Sequence, residues 1–229
     1  MSIHRPGCFI KCKLGRAAVV PIWRGPARVG WVERGVLMDR AAYESRLKNL
    51  RSWAGHLWST IEDAIPRAVA ELGPPGDETT DDVRGAASAL RAVATSLDDV
   101  MGAYDLLLDS VGRPRRYDEF LQELAGAPGS KGGPELPVNR NQFTRLVAEL
   151  NFDAGWLLGA IHGAMIGGGS SEDWLDEHLD GLATGIEEVM ISYDRLQDLI
   201  GIMPARHCAF FDQMVVLEEE QRGHRRERA

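Results

Sequence analysis

Apolar residues recur at steps of three and four along several stretches of the chain, which is the spacing of one face of an α-helix. The first stretch runs from about Asp39 to Leu72, and the second runs from about Thr79 to Val111. Pro66 lies inside the first stretch and predicts a kink or an early end there. The apolar positions of the second stretch are Leu90, Ala94, Leu97, Met101, Tyr104, Leu108 and Val111. The pattern therefore predicts long amphipathic helices.

The second half of the chain repeats the pattern of the first half. Residues 94–112 match residues 183–201 at a constant offset of 89 positions. Upstream, residues 40–64 match residues 140–164 at an offset of 100, so the first half carries 11 extra residues, which fall around residues 73–77. That segment is rich in Gly and Pro, which mark loops. The sequence thus predicts two tandem copies of one unit.

Each copy is predicted to contain a long helix, a turn, a second long helix and a short third helix. The third helices are predicted at Tyr117–Ala125 and Phe210–Glu220. Because a helical hairpin buries only one face, the two copies are expected to close on each other about an approximate two-fold axis. We therefore predict an all-α helical bundle, with copy one at 38–125, a linker at 126–137 and copy two at 138–220.

Charge is divided unevenly along the chain. Residues 1–35 hold seven Lys or Arg and one Glu, so the rest of the chain carries a net charge of −14 within a total of −8. An acidic body repels the phosphates of nucleic acid, which disfavours nucleic-acid binding. Residues 1–36 are predicted to be a basic disordered arm, and residues 221–229 a basic tail. Because no membrane-spanning stretch and no secretory signal pattern is found, a soluble cytoplasmic protein is expected.

Each predicted second helix carries a stripe of acidic residues beside its apolar face. We call these six residues the acidic stripe: Asp98, Asp105 and Asp109 in copy one, and Glu187, Asp194 and Asp198 in copy two. At 100° per residue they lie at the rim of the predicted core. Carboxylates supply the hard oxygen ligands of magnesium, so the acidic stripe is compatible with a magnesium site that hydrolyses nucleotides or phosphoesters.

Two arginines offer a structural alternative for the acidic stripe. Arg40 and Arg140 stand at the level of Asp109 and Asp198, on the same flank of the predicted hairpins. Opposite charges at a partly exposed rim form salt bridges. We therefore expect Arg40 to pair with Asp109 and Arg140 to pair with Asp198. No cofactor is expected on this interpretation, and magnesium is the alternative.

The catalytic motifs with a recognisable spacing are missing, including the phosphate-binding loop, the nucleophile elbow and the zinc-protease helix. Residues 204–220 concentrate apolar side chains too densely for a helix that faces solvent. The predicted partner contacts are Phe210, Phe211, Met214, Val215 and Leu217. The favoured hypothesis is a non-enzymatic helical interaction or adaptor protein that binds another protein or a second copy. The alternatives are the magnesium-dependent hydrolase and a helical regulator that binds a small molecule.

Overall fold

The computed structural model describes residues 40–126, 136–167, 172–200, 207 and 210. Within these ranges the chain forms five α-helices and no strand, which confirms the predicted all-α class. The helices are α1 Arg40–Leu72, α2 Thr80–Ser110, α3 Asp118–Gly126, α4 Arg140–Ile166 and α5 Glu172–Ile200. No helix in the described ranges has both the length and the apolar character needed to cross a membrane. The predicted arm, 1–36, and tail, 221–229, lie outside the described residues.

The helices begin and end where the local sequence supplies caps. At the start of α2 the N–H of Asp82 donates to the Thr79 hydroxyl at 3.2 Å, and the N–H of Thr79 donates to the Asp82 carboxylate at 2.8 Å. This reciprocal pair satisfies two backbone donors that the first turn leaves without partners. Asn139 caps α4 by accepting the N–H of Gln142 at 3.1 Å. Gly112 follows α2 with φ at 69°, a left-handed conformation that glycine adopts without strain.

The helix α1 does not end at Pro66. It continues to Leu72, so the predicted early end does not occur. Proline inside a helix removes one backbone hydrogen bond and costs about 3 kcal/mol. Ala68 and Leu72, which follow it, are fully buried, and their burial against the neighbouring helices offsets that cost.

Four helices form the bundle, and each packs mainly against two others. The packed pairs are α1 with α2, α4 with α5, α1 with α4, and α2 with α5. Arg140 at the start of α4 donates to the carbonyl oxygens of Leu72 and Gly73 at the end of α1, at 2.6 and 2.7 Å. Because these bonds join the start of α4 to the end of α1, the two helices run antiparallel. The core between the helices includes Leu50, Leu57, Ile61, Leu90, Leu97, Met101, Leu150, Leu157, Ile186 and Met190.

The short helix α3 lies within one residue of its predicted bounds. Of the matching helix predicted for copy two, only Phe210 is among the described residues. The helical bundle is thus confirmed, and the internal duplication stays a prediction.

Candidate functional site

The six residues of the acidic stripe do not share one environment. Burial decreases from the buried Asp105 and Asp194, through the partly buried Asp98 and Glu187, to the exposed Asp109 and Asp198. The rim position predicted for the whole stripe is therefore wrong for its middle members. A charged group that is buried in a bundle requires hydrogen-bond or ion-pair partners. The partners of each acidic residue therefore indicate its role.

Asp105 anchors the segment that leads into α3. Its carboxylate accepts the backbone N–H of Arg116 at 2.8 Å and the backbone N–H of Tyr117 at 3.0 Å. Burial raises the pKa of Asp105, while these two backbone hydrogen bonds act in the opposite direction. Because the donors precede the first turn of α3, Asp105 fixes where that helix departs from α2.

Asp194 makes a comparable anchor on α5. Its Oδ2 accepts the backbone N–H of His207 at 2.7 Å, and its Oδ1 lies 2.6 Å from Nδ1 of the same histidine. The His207 side chain is fully buried, and its ring packs against Tyr193 and Phe120 with centroids 6.1 and 5.8 Å away. Both buried carboxylates of the stripe therefore hold a backbone segment that follows their own helix.

Glu187 joins α5 to the segment between α2 and α3. Nε and Nη2 of Arg116 lie 2.7 and 2.5 Å from Glu187 Oε1, and the Tyr117 hydroxyl lies 3.4 Å from the same oxygen. Burial raises the pKa of Glu187, and the guanidinium of Arg116 opposes that rise. The structure thus brings two members of the stripe, Asp105 and Glu187, to one short segment, Arg116 and Tyr117.

The predicted pairing of Arg40 with Asp109 is wrong. Arg40 Nε lies 2.9 Å from Glu44 Oε1, one turn further along α1. Asp109 instead pairs with Arg115, whose Nη2 lies 2.7 Å from its carboxylate. Arg115 follows α2 closely in the chain, so it reaches the end of that helix without help from a neighbouring helix.

The predicted pairing of Arg140 with Asp198 is wrong as well. Arg140 Nε donates to Glu78 Oε1 at 2.8 Å, in addition to its two bonds with carbonyl oxygens at the end of α1. The carbonyl oxygens at the end of a helix lack partners within that helix and attract cations. Because α4 runs antiparallel to α1, its first residue meets the α1–α2 loop rather than the end of α5.

The acidic stripe does not supply a metal centre in the described part of the chain. No group of three or more His, Cys, Asp or Glu there is arranged to hold a metal ion. The two buried carboxylates accept hydrogen bonds from backbone N–H groups, and Glu187 is bound by a guanidinium. A magnesium ligand needs its lone pairs directed at the ion, so these contacts favour a structural role for those three residues.

The predicted partner contact at Phe210 is wrong. Phe210 is 3% exposed, and its ring lies 5.4 Å from the rings of Tyr117 and of Phe120. It closes the aromatic cluster around α3 and presents no surface. The other predicted contact residues, Phe211, Met214, Val215 and Leu217, lie outside the described residues.

Two tyrosines link the hairpins in a reciprocal way that the apolar pattern did not reveal. The hydroxyl of Tyr104 on α2 donates to the carbonyl of Leu179 on α5 at 2.9 Å. The hydroxyl of Tyr193 on α5 donates to the carbonyl of Leu90 on α2 at 3.4 Å. The two tyrosines are 89 positions apart in the sequence, and the two leucines are 89 positions apart as well. That shared offset is the sequence signal from which the pair of bonds could have been anticipated.

Sequence reasoning also missed the outer face of the second hairpin. Phe152 on α4 is 72% exposed, and Trp156, one turn further, is 45% exposed. Beside Phe152 lies an open groove of about 380 Å³ between α4 and α5. We call it the α4–α5 groove; it is lined by Arg145, Ala148, Glu149, Phe152, Asp153, Glu188, Ser192 and Arg195. Phe152 lies two residues from the buried Leu150 and Ala154, so at 100° per residue it falls on the face opposite the apolar stripe. That offset is the sequence signal from which its exposure could have been anticipated.

Charges of both signs surround the α4–α5 groove. The Ser192 hydroxyl donates to the Asp153 carboxylate, and Arg195 lies 3.6 Å from Glu149. Burial raises the pKa of Glu188, and the nearby charge of Asp153 raises it further. Burial likewise raises the pKa of Asp153. The charge of Arg195 opposes the rise in both pKa values. The two carboxylates thus share this guanidinium, and a second cation placed beside them is stabilised.

The chain has no match in any of three comparisons, which are a scan of protein-family models, a search of curated proteins and a search of solved structures.

Proposed function

We propose that this chain is an internally duplicated, non-enzymatic interaction protein that associates with a second copy of itself through the α4–α5 groove. Inside the bundle, polar groups hold the two hairpins together. Outside, Phe152 is the contact residue.

The reciprocal contacts between the hairpins support the duplication. Each tyrosine bond has a counterpart 89 positions away, as is expected if an approximate two-fold axis relates the two hairpins. The ring pair Tyr104 with Tyr117 also has a counterpart in Tyr193 with His207, with centroids 5.8 and 6.1 Å apart. Exchange of matched contacts is what two copies of one unit produce when they close on each other.

The exposure of Phe152 carries the proposal of an interface. At 72% exposure its ring contributes almost nothing to the core, yet it stands beside a groove large enough for an aromatic side chain. Aromatic residues with adjacent pockets are the usual anchors of protein interfaces. The charged residues that line the groove nearly cancel and leave a net charge of one. A strongly charged partner is therefore not favoured.

The order of charges along α5 favours a second copy as the partner. Glu188, Ser192 and Arg195 follow one another at helical spacing on the lining of the groove. Ser192 is 3% exposed and forms the floor of the groove, so the crossing of two copies lies above it. When two α5 helices run antiparallel at that level, Glu188 of one copy faces Arg195 of the other. The same contact recurs on the opposite side of the axis, as an isologous interface requires. The guanidinium of the other copy's Arg195 then adds a second positive charge beside Glu188 and Asp153, which already lie near Arg195 of their own chain.

Sedimentation velocity on purified chains tests this proposal. The wild-type chain, of 25.2 kDa, is expected to sediment as a dimer. Phe152→Glu should weaken the dimer by about 2 kcal/mol or more, because it buries a charge at the anchor position. Val69→Glu is the matched control, since Val69 is an exposed apolar residue on α1, and it should leave the dimer intact.

A charge swap tests the register of the helices. Glu188→Arg and Arg195→Glu should each be monomeric, because like charges then face each other at both contacts. An equimolar mixture of the two variants should recover a dimer, since each Arg again faces a Glu. A monomeric wild-type chain, or a mixture that stays monomeric while the wild type dimerises, contradicts the proposed interface.

A further inference from the structure

The helix α4 is apolar on its outer face as well as on the face that it turns to the core. At 100° per residue, six residues between 148 and 166 fall within a band of about 80° on the outer face, and no charged residue falls among them. We call them the α4 outer stripe: Ala148, Phe152, Trp156, Gly159, Gly163 and Ile166. Phe152 and Ile166 are each 72% exposed, and Trp156 is 45% exposed. A helix that is apolar all round is normally buried all round, so this face is expected to have a partner.

The first hairpin has no comparable face. The positions of α1 that lie 100 residues before the α4 outer stripe are all exposed, and five of the six are polar; they are Lys48, Ser52, His56, Ser59, Asp63 and Pro66. The two helices therefore match on the faces that they turn to the core and differ on the faces that they turn outward. A partner that covers an apolar stripe is thus expected on α4 and not on α1.

The contacts of α4 with α5 fix the level at which a second copy would meet this stripe. The inference rests on the proposed self-association, in which the two-fold axis passes midway between Glu188 and Arg195, above Ser192. The Ser192 hydroxyl donates to the Asp153 carboxylate, so the axis crosses α4 at the level of Asp153. Asp153 is also the middle residue of α4, Arg140–Ile166. An axis at this level therefore lets the α4 helices of two copies overlap along their whole length.

The same axis sets a small residue of α4 opposite a large one. An axis that makes the two α5 helices antiparallel does the same to the two α4 helices, so the residue one turn before Phe152 faces the residue one turn after it in the other copy. These residues are Ala148 and Trp156. The ring of Trp156 rests over Gly185 of α5, where a Cβ would lie 2.7 Å from it, so the indole stands at the α4–α5 seam. Large residues opposite small ones allow two surfaces to interdigitate.

The far part of the stripe leaves room for the helix of the other copy. A Cβ added at Gly159 or at Gly163 would meet nothing within 4 Å, so both glycines leave open space on the outer face. In the antiparallel arrangement Gly159 faces Arg145 of the other copy, which is exposed. The apolar stem of an arginine packs on such a surface while its guanidinium stays in water.

We propose that the α4 outer stripe of one copy packs antiparallel on that of a second copy, with Trp156 of each copy seated on Ala148 of the other. Phe152 of the two copies lies side by side at the axis, and the contact closes at two copies. The pairing of Trp156 with Ala148 also determines the choice of partner. A first hairpin cannot take the place of a second hairpin, because α1 has His56 and Lys48 at the matching positions.

Two variants of one contact test the pairing. Ala148→Trp places two indoles opposite each other, and Trp156→Ala leaves a hole on both sides of the axis. Each variant alone should raise the dissociation constant of the dimer about 100-fold or more, because its homodimer contains the defect twice. In an equimolar mixture each of the two contacts again has one Trp and one Ala, so dimers with one chain of each variant should form. Native mass spectrometry identifies these dimers, since the two variants differ in mass.

Two further variants serve as matched controls. Ala92 is exposed on α2, and Trp53 is 37% exposed on α1, so neither residue lies on the α4 outer stripe. Ala92→Trp and Trp53→Ala should leave the dissociation constant of the dimer unchanged. Trp156→Ala also removes a contact with Gly185 in its own chain, so circular dichroism checks that this variant is folded. A mixed dimer that contains the variant demonstrates the same.

The outcomes distinguish this pairing from the interface on which it rests. An Ala148→Trp variant that dimerises like the wild type would overturn the pairing, and so would a mixture without dimers of one chain of each variant. If the wild-type dimer were still weakened by Phe152→Glu, either result would leave the α4–α5 groove as the interface. A monomeric wild-type chain, by contrast, would contradict the proposed function and the pairing together.

Discussion

The two hairpins, α1–α2 and α4–α5, resemble each other where they meet and differ on the faces that they turn to solvent. Where they meet, Tyr104 and Tyr193 make reciprocal bonds, and Asp105 and Asp194 each hold a following backbone segment. On the outer side of α4, by contrast, Phe152 stands 100 positions after Ser52 of α1, which is the offset predicted for these two helices.

The difference between the hairpins extends to the residues beneath the outer face. On the first hairpin the hydroxyls of Thr60 and Ser96 are 3.1 Å apart and bond α1 to α2. At the matching level of the second hairpin, Gly185 leaves room for the ring of Trp156, and a Cβ there would lie 2.7 Å from that ring. The shared inner contacts account for the fold, and the altered outer face is where a function specific to the second hairpin is expected.

The largest effect is expected from the tyrosines at the meeting surface. Tyr104→Ala and Tyr193→Ala should each lower the free energy of unfolding by about 3–5 kcal/mol, because each leaves a cavity of aromatic size in the core. Urea denaturation measures both values. If the two losses in unfolding free energy differ by much more than about 1 kcal/mol, the two tyrosines do not hold equivalent positions in the two hairpins.

An intermediate effect is expected within the acidic stripe. Asp105→Ala should cost about 2–3 kcal/mol, because it leaves the buried N–H groups of Arg116 and Tyr117 without an acceptor. Asp109→Ala should cost less than about 1 kcal/mol, since its ion pair with Arg115 is exposed. If urea denaturation gave equal losses in unfolding free energy for the two variants, Asp105 and Asp109 would share one environment. A metal-binding role for the acidic stripe requires such a shared environment.

The smallest effect concerns pH and comes mostly from the second hairpin, although burial also raises the pKa of Asp105 on the first hairpin. Burial raises the pKa of Asp153, Asp180, Glu187 and Glu188 on the second hairpin, so the folded chain holds more protons than the unfolded chain between their ordinary and raised values. The free energy of unfolding should therefore rise as the pH falls from 7 toward 5, by about 1 kcal/mol or less.

The cap of α2 predicts the opposite dependence at lower pH. Backbone hydrogen bonding with Thr79 lowers the pKa of Asp82, so the stabilisation that this carboxylate provides is lost as the pH falls through its lowered value. Urea denaturation across the pH range measures both trends. Asp153→Asn should reduce the rise between pH 7 and 5, and an unchanged rise would remove Asp153 from its causes.

Much of the fold is encoded locally and could be predicted from the sequence. The spacing of apolar residues placed four long helices and α3, and the sequence Thr79 to Asp82 indicated where α2 begins. Such features depend on residues within one or two turns of each other, so no knowledge of the rest of the molecule is needed. The exception is Pro66, where packing outweighs a local signal to end the helix.

The chemistry of the candidate sites was decided by the tertiary structure. Periodicity fixes how a residue is rotated about its own helix axis, but the partner it meets also depends on the register and direction of the neighbouring helix. For this reason Arg140 binds Glu78 rather than Asp198, and Arg116 reaches Glu187. The same dependence buries Phe210, whose ring meets Tyr117 and Phe120 from another part of the chain.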